Sequence, residues 1–239
     1  MSGATQGSVI VALDVPDAAR ALDLADRLGD EAQIYKLGLE LLVGGDFWVV
    51  ADTLRARGKA IFADVKLFDI PATVARAVTG LVARGVDFLT VHGNQAILEA
   101  AVTAARGRSR VLAVTVLTCL DEGDVRDLGF DCDIPSLVLS RARRALEAGA
   151  DGVVASVREA AQIRATLGSR LLVVTPGVRP VLNREEPIDD QKRTASVEDA
   201  ARAGADHIVV GRPVRDAADP KSALATINSV WRAARRETS

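Results

Sequence analysis

The sequence predicts a single-domain α/β protein, a (β/α)₈ TIM barrel over residues 1–239, on three observations: eight short apolar runs alternate with helical segments, the runs are continuous, and a helix-to-strand motif repeats. In chain order the runs are 9–13, 33–37, 60–65, 87–91, 110–116, 151–155, 171–175 and 207–210. Unbroken apolar and β-branched runs suit parallel strands covered on both faces by helices. Between them lie Ala/Leu/Arg-rich segments, among them 17–28, 71–84, 95–105, 135–148, 157–167 and 197–203, each long enough for a crossover helix. The repeated motif reads Ala83-Arg84-Gly85-Val86-Asp87-Phe88, Glu147-Ala148-Gly149-Ala150-Asp151-Gly152 and Arg202-Ala203-Gly204-Ala205-Asp206-His207. Each copy ends a helix with a left-handed glycine and enters a strand. Eight strand–helix units in one domain favour a closed barrel, with an open doubly wound sheet as the alternative.

Composition narrows the function classes. Of 239 residues 49% are hydrophobic, enough for a sizeable core, and 30 Lys+Arg against 32 Asp+Glu give a net charge of −2. No global field favours nucleic acid or an anionic membrane, so an anion site must be local. Cys119 and Cys132 stand thirteen positions apart without a CxxC or His-rich neighbourhood, which argues against a disulfide framework or structural zinc site. The N-terminus lacks a basic stretch before an apolar core, and no apolar run nears the roughly 20 residues that span a bilayer. A soluble, cytoplasmic protein with a flexible stretch at residues 1–8 is expected.

In a barrel of this kind the chemistry sits at the C-terminal ends of the strands. That rule selects Asp14, Lys36, Asp64, Lys66, His92, Thr118, Gly211 and Arg212. The connection 176–194 is long and polar, and is the expected lid. Asp64 and Lys66 are two apart, so a regular strand points both to the barrel interior and Val65 away from it. With Lys36 at the end of the neighbouring strand, an alternating array of Lys36, Asp64, Lys66 and Asp69 is geometrically reasonable. Buried charges are costly unless paired, so a structural salt-bridge network is the competing reading.

The segment Asp64-Val65-Lys66-Leu67-Phe68-Asp69-Ile70-Pro71-Ala72-Thr73 resembles the DxKxxDIPxT signature of the orotidine 5′-monophosphate decarboxylase family. The resemblance extends along nearly the whole chain through Ala12-Leu13-Asp14, Lys36-Leu37-Gly38, Leu117-Thr118, Pro176-Gly177-Val178-Arg179, Asp189-Asp190-Gln191-Lys192-Arg193 and Val210-Gly211-Arg212-Pro213. It implies the last step of de novo pyrimidine (UMP) biosynthesis, in which orotidine 5′-monophosphate loses carbon dioxide to give uridine 5′-monophosphate, with no cofactor and no metal. Metal-dependent sugar-phosphate relatives share the DxKxxD core but typically carry a Glu ligand where this chain has Lys36.

The resemblance also implies roles. Lys66 would stabilise and then protonate the ring carbanion, with Asp64 holding its ammonium group. Lys36 and Asp14 would contact ribose hydroxyls, Thr118 would read the pyrimidine edge, and Gln191 would bridge base and phosphate from the lid. Arg179, Gly211 and Arg212 would hold the phosphate. Asp69 and Thr73 would reach into a partner's site, which makes the expected assembly a homodimer with shared active sites. His92, a lone strand-end histidine, reads better as a structural hydrogen-bonding residue than as a catalyst. Two rivals remain open: a magnesium-dependent sugar-phosphate enzyme and a non-catalytic phosphometabolite-binding barrel.

Overall fold

The computed structural model describes residues 7–179 and 195–237. The chain runs β1 (Val9–Ala12), α1 (Ala18–Leu28), a 3-10 turn (Gly29–Glu31), β2 (Ile34–Leu37), α2 (Leu39–Val43), α3 (Phe47–Ala56), β3 (Ala60–Leu67), α4 (Pro71–Ala83), β4 (Phe88–Val91) and α5 (Gln95–Ala105). It continues through β5 (Arg110–Val114), α6 (Glu122–Asp127), α7 (Ile134–Glu147), β6 (Gly152–Val154), α8 (Val157–Leu167), β7 (Leu172–Thr175), β8 (Val178–Arg179), β9 (Ala195–Ser196), α9 (Val197–Arg202), β10 (His207–Val210), α10 (Arg212–Arg215) and α11 (Pro220–Glu237).

The eight strands expected from the sequence close into one parallel barrel in the order β1-β10-β7-β6-β5-β4-β3-β2, so the open sheet is not what forms. Strands β8 and β9 stand apart as a two-stranded parallel pair. Alternation along each strand divides the core. Ile10 in β1 points inward with Ile34, Phe62, Phe88, Leu112, Val174 and Val209 to fill the barrel. Val9 and Val11 point outward to the helix faces that contribute Leu24, Leu54, Ile163 and Trp231. Both faces of each strand are therefore apolar, which is why the runs are unbroken.

The repeated motif has a physical role at the N-terminal rim. Gly85, Gly149 and Gly204 take positive φ of 72°, 79° and 81°, turning each helix end back toward the sheet. The aspartate two residues on then grips the preceding strand of the barrel twice. The Asp87, Asp151 and Asp206 backbones donate to the Ile61, Val111 and Val173 carbonyls, and their carboxylates accept from the N–H groups of those same residues at 2.7–2.8 Å.

Several elements lie outside the helical segments read from the sequence. Helices α2, α6 and α10 are too short to show a period. The 18-residue α11 does show one, burying Leu224, Ile227, Trp231 and Ala234 along one face. It also anchors the chain's start: Trp231 Nε1 donates to the Gly7 carbonyl at 2.6 Å, while the Ser8 N–H donates to His207 Nδ1 at 3.2 Å. Gly7 and Ser8, within the stretch expected to be flexible, are thus tied to the barrel floor. Among the described residues no helix is long and apolar enough to cross a membrane.

Candidate active site

The C-terminal strand ends surround a cleft of about 740 Å³. Asp14, Lys36, Asp64, Lys66, Thr118, Arg179, Gly211 and Arg212 all line it, as the sequence reading expects. Among the described residues the lining carries five basic side chains and three acidic ones, a local positive excess in a chain of net charge −2. The barrel order sets β3, with Asp64 and Lys66, diametrically opposite β7, which leads to Arg179.

The charges form a chain. Lys36 Nζ lies 2.8 Å from Asp14 Oδ1 and 3.7 Å from Asp64 Oδ2, and Lys66 Nζ donates to Asp64 Oδ1 at 2.9 Å. Lys36 is the inner cation, its side chain 11% exposed, while that of Lys66 is 34% exposed, so Lys66 presents its ammonium group more openly to the cleft. Burial works to raise the Asp64 carboxyl, but the Lys36 and Lys66 charges, with hydrogen bonds from Lys66 and Thr90, outweigh it and hold the group below its ordinary value. Asp64 is therefore a carboxylate at neutral pH. Gly38 makes room for this chain, since a Cβ there would stand 3.3 Å from Asp14 Oδ1 and 3.5 Å from Lys36 Nζ.

Two expectations need correction. Asp69 is not part of the array within its own subunit: it is exposed on the turn after β3, outside the cleft lining, and its Oδ1 accepts from the Ile70 N–H at 2.6 Å. Asp14 takes the fourth place instead, because β1 pairs with β2 and sets Ala12 beside Lys36. Thr73 likewise lies outside the lining, in the first turn of α4, where its hydroxyl accepts from Arg76 at 3.2 Å. The second correction concerns strand regularity. The β3–β4 register shifts between Ala63 and Leu67, and Lys66 takes a φ of +47°, so simple alternation is not what brings Asp64 and Lys66 together. They meet in the cleft through an irregular turn of backbone.

Gln191 lies outside the described residues, as does 180–194 of the expected lid. Its two ends are paired, Val178 with Ala195 and Arg179 with Ser196. His92 is half-buried against the Phe68 ring, 5.5 Å between centroids, and its imidazole pKa is lowered by burial and by the charges of Arg141 and Lys66. Two contributors escaped the sequence reading. Arg215 donates to the Asp14 carbonyl at 2.7 Å, and the buried Thr90 hydroxyl joins Asp64 to the Lys66 backbone. An arginine beyond the expected phosphate arginine and a single threonine within an apolar strand carry little signal.

A match to the model of the Orotidine 5′-phosphate decarboxylase / HUMPS family runs from residue 7 to residue 227. The chain belongs to this family. Among its relatives, the orotidine 5′-phosphate decarboxylase of Methylococcus capsulatus is 57% identical over 215 residues, covering 90% of this chain and 88% of that protein. That of Cereibacter sphaeroides is 49% identical over 224 residues, covering 92% and 95%. Among solved structures, orotidine 5′-phosphate decarboxylase from Lactobacillus acidophilus matches with a TM-score of 0.82 at 33% identity, over 94% of this chain and 99% of that one. The one from Pyrococcus horikoshii matches with a TM-score of 0.74 at 26% identity, over 94% and 99%. Family membership and these relatives make the chain an enzyme of the decarboxylase class.

Proposed function

We propose that this chain converts orotidine 5′-monophosphate to uridine 5′-monophosphate and carbon dioxide without a cofactor, in the cytoplasm. The observation that carries the reading is the Asp14–Lys36–Asp64–Lys66 chain in a cleft whose opposite side holds Arg179. Orotidine 5′-monophosphate carries a phosphate at one end and the reacting ring carboxylate at the other, and the cleft offers cations at both.

The C–C bond to the carboxylate breaks and its electron pair stays on the ring carbon. With no cofactor to delocalise that charge, a fixed cation is the main means of lowering the barrier. Lys66 supplies it and then transfers an ammonium proton to the same carbon, leaving a neutral amine that regains its proton from water. Asp64, ionised and hydrogen-bonded to Lys66, aims the ammonium group. Lys36 and Asp14 meet the ribose hydroxyls, and Thr118 reads the pyrimidine edge. Arg179 and Arg212 hold the phosphate, with the Gly211 backbone beside them, and Gln191 bridges base and phosphate.

Asp69 and Thr73 serve the site of a partner subunit in a homodimer. The exposure of Asp69 outside its own cleft, beside the exposed Phe68 and Ile70, supports this placement, as does the position of the half-buried Thr73 outside that cleft. The decisive experiment adds orotidine 5′-monophosphate to purified protein and follows the absorbance change to uridine 5′-monophosphate. Turnover should persist in excess chelator. Loss of rate restored by magnesium would favour the metal-dependent alternative, and tight nucleotide binding without carbon dioxide release the non-catalytic one.

A further inference from the structure

Thr90 sits within β4, fully buried, and is not among the residues lining the cleft. Two hydrogen bonds meet at its hydroxyl: the Lys66 backbone N–H lies 2.9 Å from Oγ1, and Oγ1 lies 3.0 Å from Asp64 Oδ1. An amide N–H can only donate, so the hydroxyl accepts there and its single proton goes to the Asp64 carboxylate. Donor and acceptor roles are therefore fixed by chemistry.

The backbone shows why such a bridge is needed. Ala63 of β3 stands opposite Leu89 of β4, and Leu67 opposite Val91, so four steps along β3 are matched by two along β4. Within this bulge Lys66 adopts a φ of +47°, a conformation that costs a residue with a Cβ roughly 1–2 kcal/mol. The Thr90 side chain takes up the amide hydrogen of that strained residue. The same oxygen steadies Asp64, whose Oδ1 is also the acceptor for the Lys66 ammonium. Lys66 is thus held at both ends through one hydroxyl.

We infer that Thr90 is a positioning residue for decarboxylation, fixing the Lys66 backbone directly and the Lys66 ammonium group through Asp64, without touching substrate. The inference rests on the roles given above to Lys66 and Asp64. Thr90→Val replaces the hydroxyl with a methyl of similar size, and Thr90→Ser keeps the hydroxyl. Under single-turnover conditions, where product release cannot mask the chemical step, the valine variant should lose about 10- to 100-fold in rate. Its affinity for uridine 5′-monophosphate should stay within about threefold, and the serine variant should recover most of the rate. The acid limb of the valine variant's kcat/KM profile should also move to higher pH, because Asp64 loses a hydrogen bond that favours its ionised form.

A valine variant as fast as wild type overturns the inference. So does a serine variant as slow as the valine one, or a valine variant that loses nucleotide affinity in step with rate, which marks a merely structural role. A wild-type chain without turnover would instead overturn the proposed function itself.

Discussion

At the N-terminal rim of the barrel Asp87, Asp151 and Asp206 each give their carboxylate to a backbone N–H of the preceding strand, whereas at the C-terminal rim Asp64 gives its carboxylate to the side chains of Lys36, Lys66 and Thr90. Backbone donors are fixed by the sheet, so the first arrangement ties strands together. Side-chain donors on long stems leave an ammonium group partly open to a cleft, so the second holds a cation where charge can develop. The titratable groups of the two rims differ as well. The Asp64 carboxyl is lowered because neighbouring cations outweigh burial, while the His207 imidazole on the floor is pushed down to about 4, chiefly by burial. The same residue types thus serve cohesion at one end and, on the proposed function, chemistry at the other, according to which donors surround them.

The sharpest way to break this contrast is Lys66→Ala. On the proposed mechanism this cation stabilises mainly the transition state, so its removal should lower kcat by about 10³-fold or more, with the melting temperature nearly unchanged. Retention of more than a few per cent of the wild-type rate would sink the assignment.

On the proposed phosphate role, Arg212→Ala should cost roughly 10- to 100-fold in kcat/KM, the value of one charge-assisted hydrogen bond. By the same reasoning orotidine without its phosphate should be a very poor substrate. Equal turnover of nucleoside and nucleotide would remove the phosphate role from this side of the cleft.

The proposed sharing of sites between subunits sharpens the contrast further, because it would draw a residue of the C-terminal rim from another chain. Lys66→Ala and Asp69→Ala homodimers should each be nearly inactive. Mixed under conditions of random exchange, they should recover about a quarter of wild-type specific activity, since half the dimers are mixed and each of these has one intact site. If mass-tagged subunits are seen to exchange and activity stays absent, Asp69 acts within its own chain.

The smallest effect belongs to the floor and touches stability alone. His207 is fully buried, and its folded-state pKa of about 4 lies below the unfolded value near 6.5. The unfolded chain therefore binds the proton first as pH falls. The contribution is fully present above about pH 6.5, declines from there toward pH 4, and amounts to roughly 3 kcal/mol at full extent. Urea unfolding of wild type and His207→Gln between pH 7 and 4.5 checks this: the variant should lose less stability over that interval. Equal losses would show that His207 does not govern the acid limb.

Much of the barrel was legible in the chain itself. Continuous apolar runs reflect burial on both strand faces, and the Gly-x-Asp motif reflects a turn and grip made within a few residues of the glycine, so local sequence determines both. The strand-end charges were legible for a related reason, since a charged residue abutting an apolar run marks where the sheet ends. The membership of the charged chain was decided only by tertiary structure. Asp14 and Lys36 meet because β1 pairs with β2, and Asp69 is excluded because the chain turns outward after β3. Thr90 is the clearest case of this kind. Its hydroxyl meets the Lys66 amide because a bulge on the neighbouring strand leaves that N–H to it, and a register shift between strands depends on contacts distant in sequence that no local pattern encodes.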